Sequence, residues 1–304
     1  MRGSRLARNR QKFYWDGGPI HMMDFTKLVR TAGAGTLALT ALASTLAVSS
    51  QARADDPPAF AYTFNIGAVS DYRFRGISQT AEDPAIQGGA DLSYGIGYFG
   101  VWASSLDFGV DNLGSGIAPI EIDIYGGIKP VWGPLTFDLG VIYYAYPGSI
   151  DTFNGGVAGS NRIDYVEGKF GVSGNPLKEL TTGVVVYYSP DYTLETGSVV
   201  TVEGTASYAL PKIWKLDPAI SGRLGYQHGD DLAYKSLISN GDSSYLYWDV
   251  GVTFTLEKFA FDFRYIDTDI ANNNAVGGFS DTFCKGAVAQ CDSTFVFSIK
   301  ATLP

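Results

Sequence analysis

The sequence predicts an all-β protein: a transmembrane antiparallel β-barrel of about 12 strands. Three observations lead to this fold class. Apolar and polar residues alternate with a period of two through most of residues 55–304, as they do in strands that place different faces in different solvents. No apolar stretch after residue 48 is long enough for a membrane helix. Long and short connections largely alternate along the chain, as in membrane-spanning barrels.

The first 54 residues are predicted to be a leader and not part of the barrel. Residues 1–21 are basic and without period, and we interpret them as an upstream extension because Met22 or Met23 would make a normal start. Residues 22–54 have the layout of a secretory signal peptide, with a basic start, an apolar run over 32–48 and Ala-Arg-Ala before a cut after Ala54. A permanent transmembrane helix is the alternative, but this run is short. Residues 55–304 remain for the barrel.

The charge of the predicted mature chain argues against one class of function. Of the 22 basic and 31 acidic residues, residues 1–54 hold eight and two, so 14 and 29 remain, a formal charge of −15. Nucleic-acid binding relies on basic surface that displaces counterions, so we expect no nucleic-acid partner.

Each strand is predicted from its own stretch of alternation. Nine stretches are clean, for example residues 60–68, where Phe60, Tyr62 and Phe64 share a face that Thr63 and Asn65 do not. The stretches YFGVWASSLDF, DYVEGKFGV and LTTGVVVYY alternate less cleanly, but their β-branched and aromatic content favours strands. The predicted strands begin near Phe60, Ala85, Tyr98, Pro119, Leu135, Arg162, Leu180, Val199, Pro218, Ser244, Phe259 and Thr294.

The connections test the barrel independently of the strands. RGISQTAED, GVDNLGSGIA, PGSIDTFNGGVAGSN and the segments 228–243 and 268–292 are long, whereas GIG, PVWGP, SGNPLKE and Glu257-Lys258 are shorter. This parity predicts long outer loops, short periplasmic turns and both termini in the periplasm. A soluble sandwich or barrel, the alternative fold, has no reason to show it.

The two faces of the predicted strands indicate a lipid-facing band and a wet lumen. Ile, Val, Leu and Phe fill one face, with Tyr and Trp towards the strand ends, as in aromatic girdles. Charges on the other face are candidates for an electrostatic filter. These lumen candidates are Asp71, Arg73, Arg75, Asp91, Glu121, Asp123, Asp138, Glu203, Arg223, Asp249, Asp262 and Arg264. With Asp107, Glu167, Lys169 and Lys300 the inward set holds ten acids and six bases. They line an open narrow pore, or they pair with each other and plug the barrel.

The stretches SDYRFRGISQT, DPAIQGGADLSY and YFGVWASSLDF, with VIYYAYPG and YIDTDI later in the chain, carry a family resemblance. In these the chain resembles the TorF-type porin family of proteobacterial outer-membrane proteins, over essentially the whole predicted mature chain. The resemblance implies a porin in the bacterial outer membrane. One departure is the final KATLP, because such barrels often end in an aromatic residue that the assembly machinery reads; Phe295 and Phe297 are candidates for that role.

The remaining candidates concern disulfide, metal and catalytic chemistry. Cys284 and Cys291 are the two cysteines, and an oxidising compartment favours a disulfide between them over a metal site. His228, the one His of residues 55–304, is interpreted as a loop residue at the barrel mouth, although a hydrolase would need such a base.

The sequence therefore predicts a non-enzymatic outer-membrane channel for passive diffusion of small polar or cationic solutes. Its expected partners are membrane lipid, those solutes and the assembly machinery, and no cofactor or metal is expected. The alternatives are a closed structural or adhesive barrel and, less favoured, a lipid hydrolase.

Overall fold

Twelve antiparallel strands form the barrel in the computed structural model, which describes residues 60–108, 118–149, 162–239, 241–270 and 291–304. The strands are β1 (Phe60–Val69), β2 (Ala85–Tyr94), β3 (Gly97–Ser105), β4 (Ile120–Ile128), β5 (Leu135–Ala145), β6 (Tyr165–Leu177), β7 (Leu180–Ser189), β8 (Val199–Ala209), β9 (Asp217–Gly229), β10 (Ser244–Leu256), β11 (Phe259–Thr268) and β12 (Thr294–Leu303). The predicted number of strands is confirmed. The largest error in a predicted start is at β6, which begins at Tyr165 and not near Arg162.

The sheet closes on itself. Each strand pairs with its neighbours in sequence, and β1 pairs antiparallel with both β2 and β12, with Ala68 opposite Ile86 on one side and Ile299 on the other. Closure leaves no unpaired strand edge, which is the condition for sheet to exist in hydrocarbon. A short pair, Val131–Trp132 against the start of β5, continues the β4–β5 turn.

The outward face of the strands is apolar, as the alternation predicts. Phe64 and Ile66 on β1 are 50% and 58% exposed, whereas Asn65 between them faces the interior. Trp132 and Trp214, each 80% exposed, lie in turns at one end of the barrel. An apolar band with aromatic residues at its margin is the surface that a bilayer requires.

The connections differ in length between the two ends of the barrel. At the end where β1 starts and β12 finishes, here called the lower end, the connections are 95–96, 129–134, 178–179, 210–216 and 257–258. At the upper end they are 70–84, 106–119, 146–164, 190–198, 230–243 and 269–293. The predicted parity is confirmed. Most of SGNPLKE, however, belongs to β6, so that turn is only two residues long.

One helix, α1 (Leu232–Leu237), lies in an upper connection, where the Asp231 side chain accepts a hydrogen bond from the backbone N–H of Ala233 at 2.8 Å. Within the described ranges, no helix has the length and apolar character needed to cross a membrane.

Candidate functional site: an inner hairpin across the lumen

The chain does not continue outward after β1 but turns into the barrel. Residues 70–80, here called the inner hairpin, contain the antiparallel pairs Arg73–Ser78 and Phe74–Ile77. Arg75 and Gly76 form its tip, both with positive φ (52° and 85°), as in the tight turns that favour Gly. A Cβ on Gly76 would collide with the side chains of Thr268 and Tyr247 on the barrel wall. The tip therefore packs directly against β10 and β11.

This path corrects one part of the sequence interpretation. The alternation predicted Asp71, Arg73 and Arg75 to face the lumen as a continuation of the first strand. They are indeed inside, with exposures of 5%, 4% and 3%, but a separate hairpin carries them there because β1 ends at Val69.

The base of the inner hairpin is held by its own polar side chains. Asp71 accepts hydrogen bonds from Arg73 Nε at 2.5 Å and from Ser78 Oγ at 2.6 Å. Arg73 also donates to the carbonyl oxygens of Gly76 (3.2 Å) and Asp292 (3.1 Å) and to Glu82 (3.1 Å). These bonds satisfy buried groups that would otherwise be costly, so the charges of this segment serve its own fold.

The tip of the inner hairpin is bound to the barrel wall through Arg75. Its two terminal nitrogens donate to both carboxylate oxygens of Glu167 on β6, at 2.8 and 2.7 Å. Tyr144 on β5 donates to the same carboxylate at 3.0 Å. The guanidinium also lies 4.7 Å from the ring centroid of Phe74 and 5.0 Å from that of Tyr187. A buried bidentate pair with stacked aromatic rings is both strong and directional.

Two tyrosines complete the crossing of the lumen. Tyr72 donates to Glu121 Oε1 on β4 at 2.8 Å and packs edge-on against Trp102 at 5.4 Å. Tyr245 on β10 donates to the carbonyl oxygen of Arg75 at 3.3 Å. The inner hairpin thus touches both sides of the ring. Aromatic side chains fill the space around it, and the buried ones are Tyr72, Trp102, Tyr144, Tyr146, Tyr165, Tyr192, Tyr234, Tyr245 and Tyr247.

Below the inner hairpin, one wall carries a continuous chain of ion pairs. Arg223 on β9 lies between Glu203 on β8 (3.5 Å) and Asp249 on β10 (2.8 Å). Arg264 on β11 pairs with Asp249 and, at 3.0 Å, with Asp262. These are the residues that strand parity predicted to share the lumen, and the register brings them together.

The opposite wall carries a smaller cluster. Asp138 on β5 pairs with Lys169 at 2.9 Å and with Lys129 at 3.9 Å, and it accepts a hydrogen bond from Tyr98 at 2.7 Å. Further round the same wall, the Tyr125 hydroxyl on β4 donates to Asp91 on β2 at 2.5 Å. Lys129, the residue after the end of β4, was not among the lumen candidates, although the alternation puts it on the same face as Glu121 and Asp123.

The charge balance differs between the two parts of the lumen. Among the described lumen residues below the inner hairpin, five acids (Asp91, Asp138, Glu203, Asp249, Asp262) face five bases (Lys129, Lys169, Arg223, Arg264, Lys300). Around the inner hairpin, Glu121 and Asp123 on β4 are 2% and 8% exposed, and neither has an ion pair with a described base. The acidic surplus of the described lumen lies there.

His228 does not face the lumen. Its ring stacks on Tyr226 of the outward face with centroids 6.3 Å apart, and Nε2 lies 3.4 Å from Asp230. In the part of the chain that the structure describes, Asp230 is its one ion-pair partner and its Nδ1 has no hydrogen bond. This position differs from the loop position that we expected.

One of the two cysteines lies within the described residues. Cys291 is 2% exposed and its carbonyl oxygen accepts a hydrogen bond from Thr268 at 2.9 Å, but Cys284 lies outside the described residues, so the disulfide stays a prediction. Across the described ranges, no group of three or more His, Cys, Asp and Glu side chains could hold a metal ion.

The chain belongs to a family described as "Bacterial protein of unknown function (Gcw_chp)", whose model matches residues 51–303. The TorF-type resemblance stays a prediction. Closed barrels with an apolar outer band span the outer membrane in bacteria, and this chain is such a barrel.

Solved structures of similar fold include porins. The NanC porin is 10% identical, with 80% of this chain and 100% of that chain covered and a TM-score of 0.45. The KdgM porin is 8% identical, with 80% and 99% covered and a TM-score of 0.46. LpxR from Salmonella typhimurium is 10% identical, with 79% and 99% covered and a TM-score of 0.40. No curated protein matches the chain.

Proposed function

We propose that the protein is a narrow outer-membrane channel for passive diffusion of small polar solutes, with the inner hairpin as its constriction. The observation that carries this proposal is the charged inward face below the inner hairpin. Ten ionisable side chains line it on both walls, and Arg223, Lys169 and Asp138 keep part of their side-chain surface exposed. Charged side chains that keep exposed surface inside a barrel can line a path for polar solutes.

Selectivity for cations is the finer part of the proposal. The charges below the inner hairpin balance, whereas Glu121 and Asp123 beside it have no basic partner among the described residues. Because low-dielectric walls weaken screening, carboxylates without a basic partner at the narrowest point dominate the field that a solute meets whenever they are ionised. Small cations and neutral polar solutes are therefore the favoured cargo, and electrodiffusion is the mechanism.

A closed barrel with a structural or adhesive role is the second candidate, and a specific observation favours it. The inner hairpin and the tyrosines around it fill the upper lumen, and Tyr234 and Tyr247 are 0% and 1% exposed. The two candidates therefore differ in whether solutes pass the inner hairpin. A hydrolase is not supported by the position of His228 on the outward face.

Conductance separates the candidates. Purified protein in planar bilayers should conduct weakly, and a variant with residues 72–79 replaced by a short Gly-Ser linker should conduct several-fold more. The reversal potential in unequal KCl should show cation preference in the wild type. A wild-type protein that does not conduct, together with a linker variant that does, would favour the structural barrel. A preference for anions in the wild type would contradict the proposed cation selectivity.

A further inference from the structure

The pair of carboxylates beside the inner hairpin can do more than set selectivity. Glu121 and Asp123 occupy alternate inward positions of β4, at the level where the inner hairpin crosses. Glu121 accepts the hydrogen bond of Tyr72, but Asp123 Oδ1 is buried and has no hydrogen-bond partner. The pair therefore combines one carboxylate that receives a hydrogen bond from the inner hairpin with one whose Oδ1 receives none.

Among the described residues, no base lies beside the pair that is not already bound to another carboxylate. The charged and titratable groups around it are Tyr72, Tyr125, Tyr144, Tyr146 and Glu167, with Arg75 bound to Glu167. Arg75 is the one base in this set, and Glu167 already binds it through both oxygens. Trp102 and Tyr144 occupy the positions beside Asp123 on the two adjacent strands. An ionised carboxylate in such a site is destabilising unless water or a cation reaches it.

We propose that Asp123 is the proton sensor of the inner hairpin. While Asp123 is protonated, the inner hairpin stays packed across the lumen and closes it. When Asp123 ionises, the inner hairpin detaches from the barrel wall. Asp123 is 8% exposed and lies two positions from Glu121, which accepts the Tyr72 hydrogen bond of the inner hairpin, so departure of the inner hairpin would admit water to it. Ionisation also places a third negative charge next to Glu121 and Glu167, of which only Glu167 has a base. Hydration and repulsion then both favour the released state.

The sign of the pH dependence follows from this arrangement. The closed state binds one proton more than the released state, so raising the pH favours release. One linked proton changes the ratio of released to closed hairpins by up to about tenfold per pH unit. The charge of Glu121 sets the pH at which release occurs. Without that neighbouring charge Asp123 ionises more easily, so Glu121→Gln shifts the response to lower pH.

Thiol labelling tests the movement without requiring conduction. Ile77→Cys places a thiol on the buried inner hairpin, where Ile77 is 8% exposed, and Val131→Cys places one at the lower end, where Val131 is 69% exposed. Both labelling rates are first corrected for Cys284 and Cys291. The rate at position 77 is then divided by the rate at position 131, which removes the intrinsic pH dependence of thiols. This ratio should rise several-fold from pH 5 to pH 8. In the Asp123→Asn background it should stay low at every pH. Asp91→Asn, which changes a lumen acid bonded to Tyr125, should retain the full response.

These outcomes distinguish the inference from the proposed function. The inference rests on the proposed function only in that release of the inner hairpin would allow conduction. A labelling response that Asp123→Asn abolishes supports the sensor even if no variant conducts. An unaltered response in Asp123→Asn, a response lost equally in Asp91→Asn, or labelling that falls as pH rises would overturn it. Heat-modifiable gel mobility confirms that each variant is folded.

Discussion

Arg75 joins the inner hairpin to a carboxylate 92 positions later in the chain. A lone charge buried inside the barrel would destabilise the fold. Arg75 and Glu167 neutralise each other, and the tyrosine and ring contacts add hydrogen-bonding and cation–π partners. Arg75 therefore contributes conformational specificity, because it favours the one position in which the tip of the inner hairpin packs against β6.

We expect Arg75→Ala to destabilise the folded barrel by about 3–5 kcal/mol, since it leaves Glu167 buried and unpaired. Lys212→Ala is the matched control, because the Lys212–Asp217 pair is more than half exposed on both sides and such pairs contribute little. Urea midpoints in detergent micelles measure both. Equal midpoints for the two variants would show that the Arg75 pair is not retained in the folded protein.

Gly76 offers a second residue-scale prediction. Gly76→Ala should displace the inner hairpin, because the new methyl group meets Thr268 and Tyr247 and the backbone is left-handed at φ 85°. Gly133→Ala shares the positive φ (58°) but has no atom within 4 Å of the new Cβ, so it isolates the backbone effect of about 1 kcal/mol. Proteolysis of the inner hairpin should increase for Gly76→Ala alone. Equal protection in both variants would argue against tight packing at the tip.

Residue positions on the strands were predictable, and those on the inner hairpin were not. Parity placed Arg223 and Asp249 in one lumen because side chains alternate strictly along a strand, and their register then pairs them. Arg73 and Arg75 share the same parity by coincidence. What orients them is a turn and its contacts with β6, β10 and β11, which are distant in sequence.

At the scale of elements, the stretch FNIGAVSDYRFRGISQT is two structures in one alternating pattern. Its first part is β1, with Phe64 and Ile66 on the lipid side, and its second part is the inner hairpin. One signal in the sequence marks the change: the Arg75-Gly76 step, which favours a tight turn. Periodicity alone cannot separate them.

The upper connection after β11 carries an element-scale prediction. Cys284 and Cys291 should form a disulfide that constrains this connection only, with stabilisation at or below the 2–4 kcal/mol typical of disulfides because the ring is small. Mass spectrometry after thiol alkylation, on protein taken directly from membranes, should find both cysteines blocked until reduction. Two alkylated cysteines without reduction would contradict the bridge.

At the scale of the whole molecule, closure and loop parity were predictable because they follow from one constraint. Lipid requires every strand to be paired on both edges, so the sheet must close. Closure of an all-antiparallel sheet needs an even number of strands, and an even number returns the chain to the end of the barrel where it started. The content of the lumen was not predictable in the same way. Whether inward charges such as Glu121 and Asp138 line an open space or a filled one depends on whether a connection folds inward, and 70–84 does.

The two ends of the barrel predict how it is oriented. The long connections lie at the upper end and both chain ends of the barrel, Phe60 and Leu303, at the lower end, so we expect the upper end outside the cell. An epitope tag near Asn273 should label on intact cells, whereas a tag between Lys178 and Glu179, in the two-residue β6–β7 turn, should label only after the outer membrane is permeabilised. A third tag at Gly133, in another lower turn, controls for the effect of insertion at a single site. Labelling of Lys178 and Gly133 tags on intact cells, with the Asn273 tag silent, would reverse the barrel and place the inner hairpin at its periplasmic mouth.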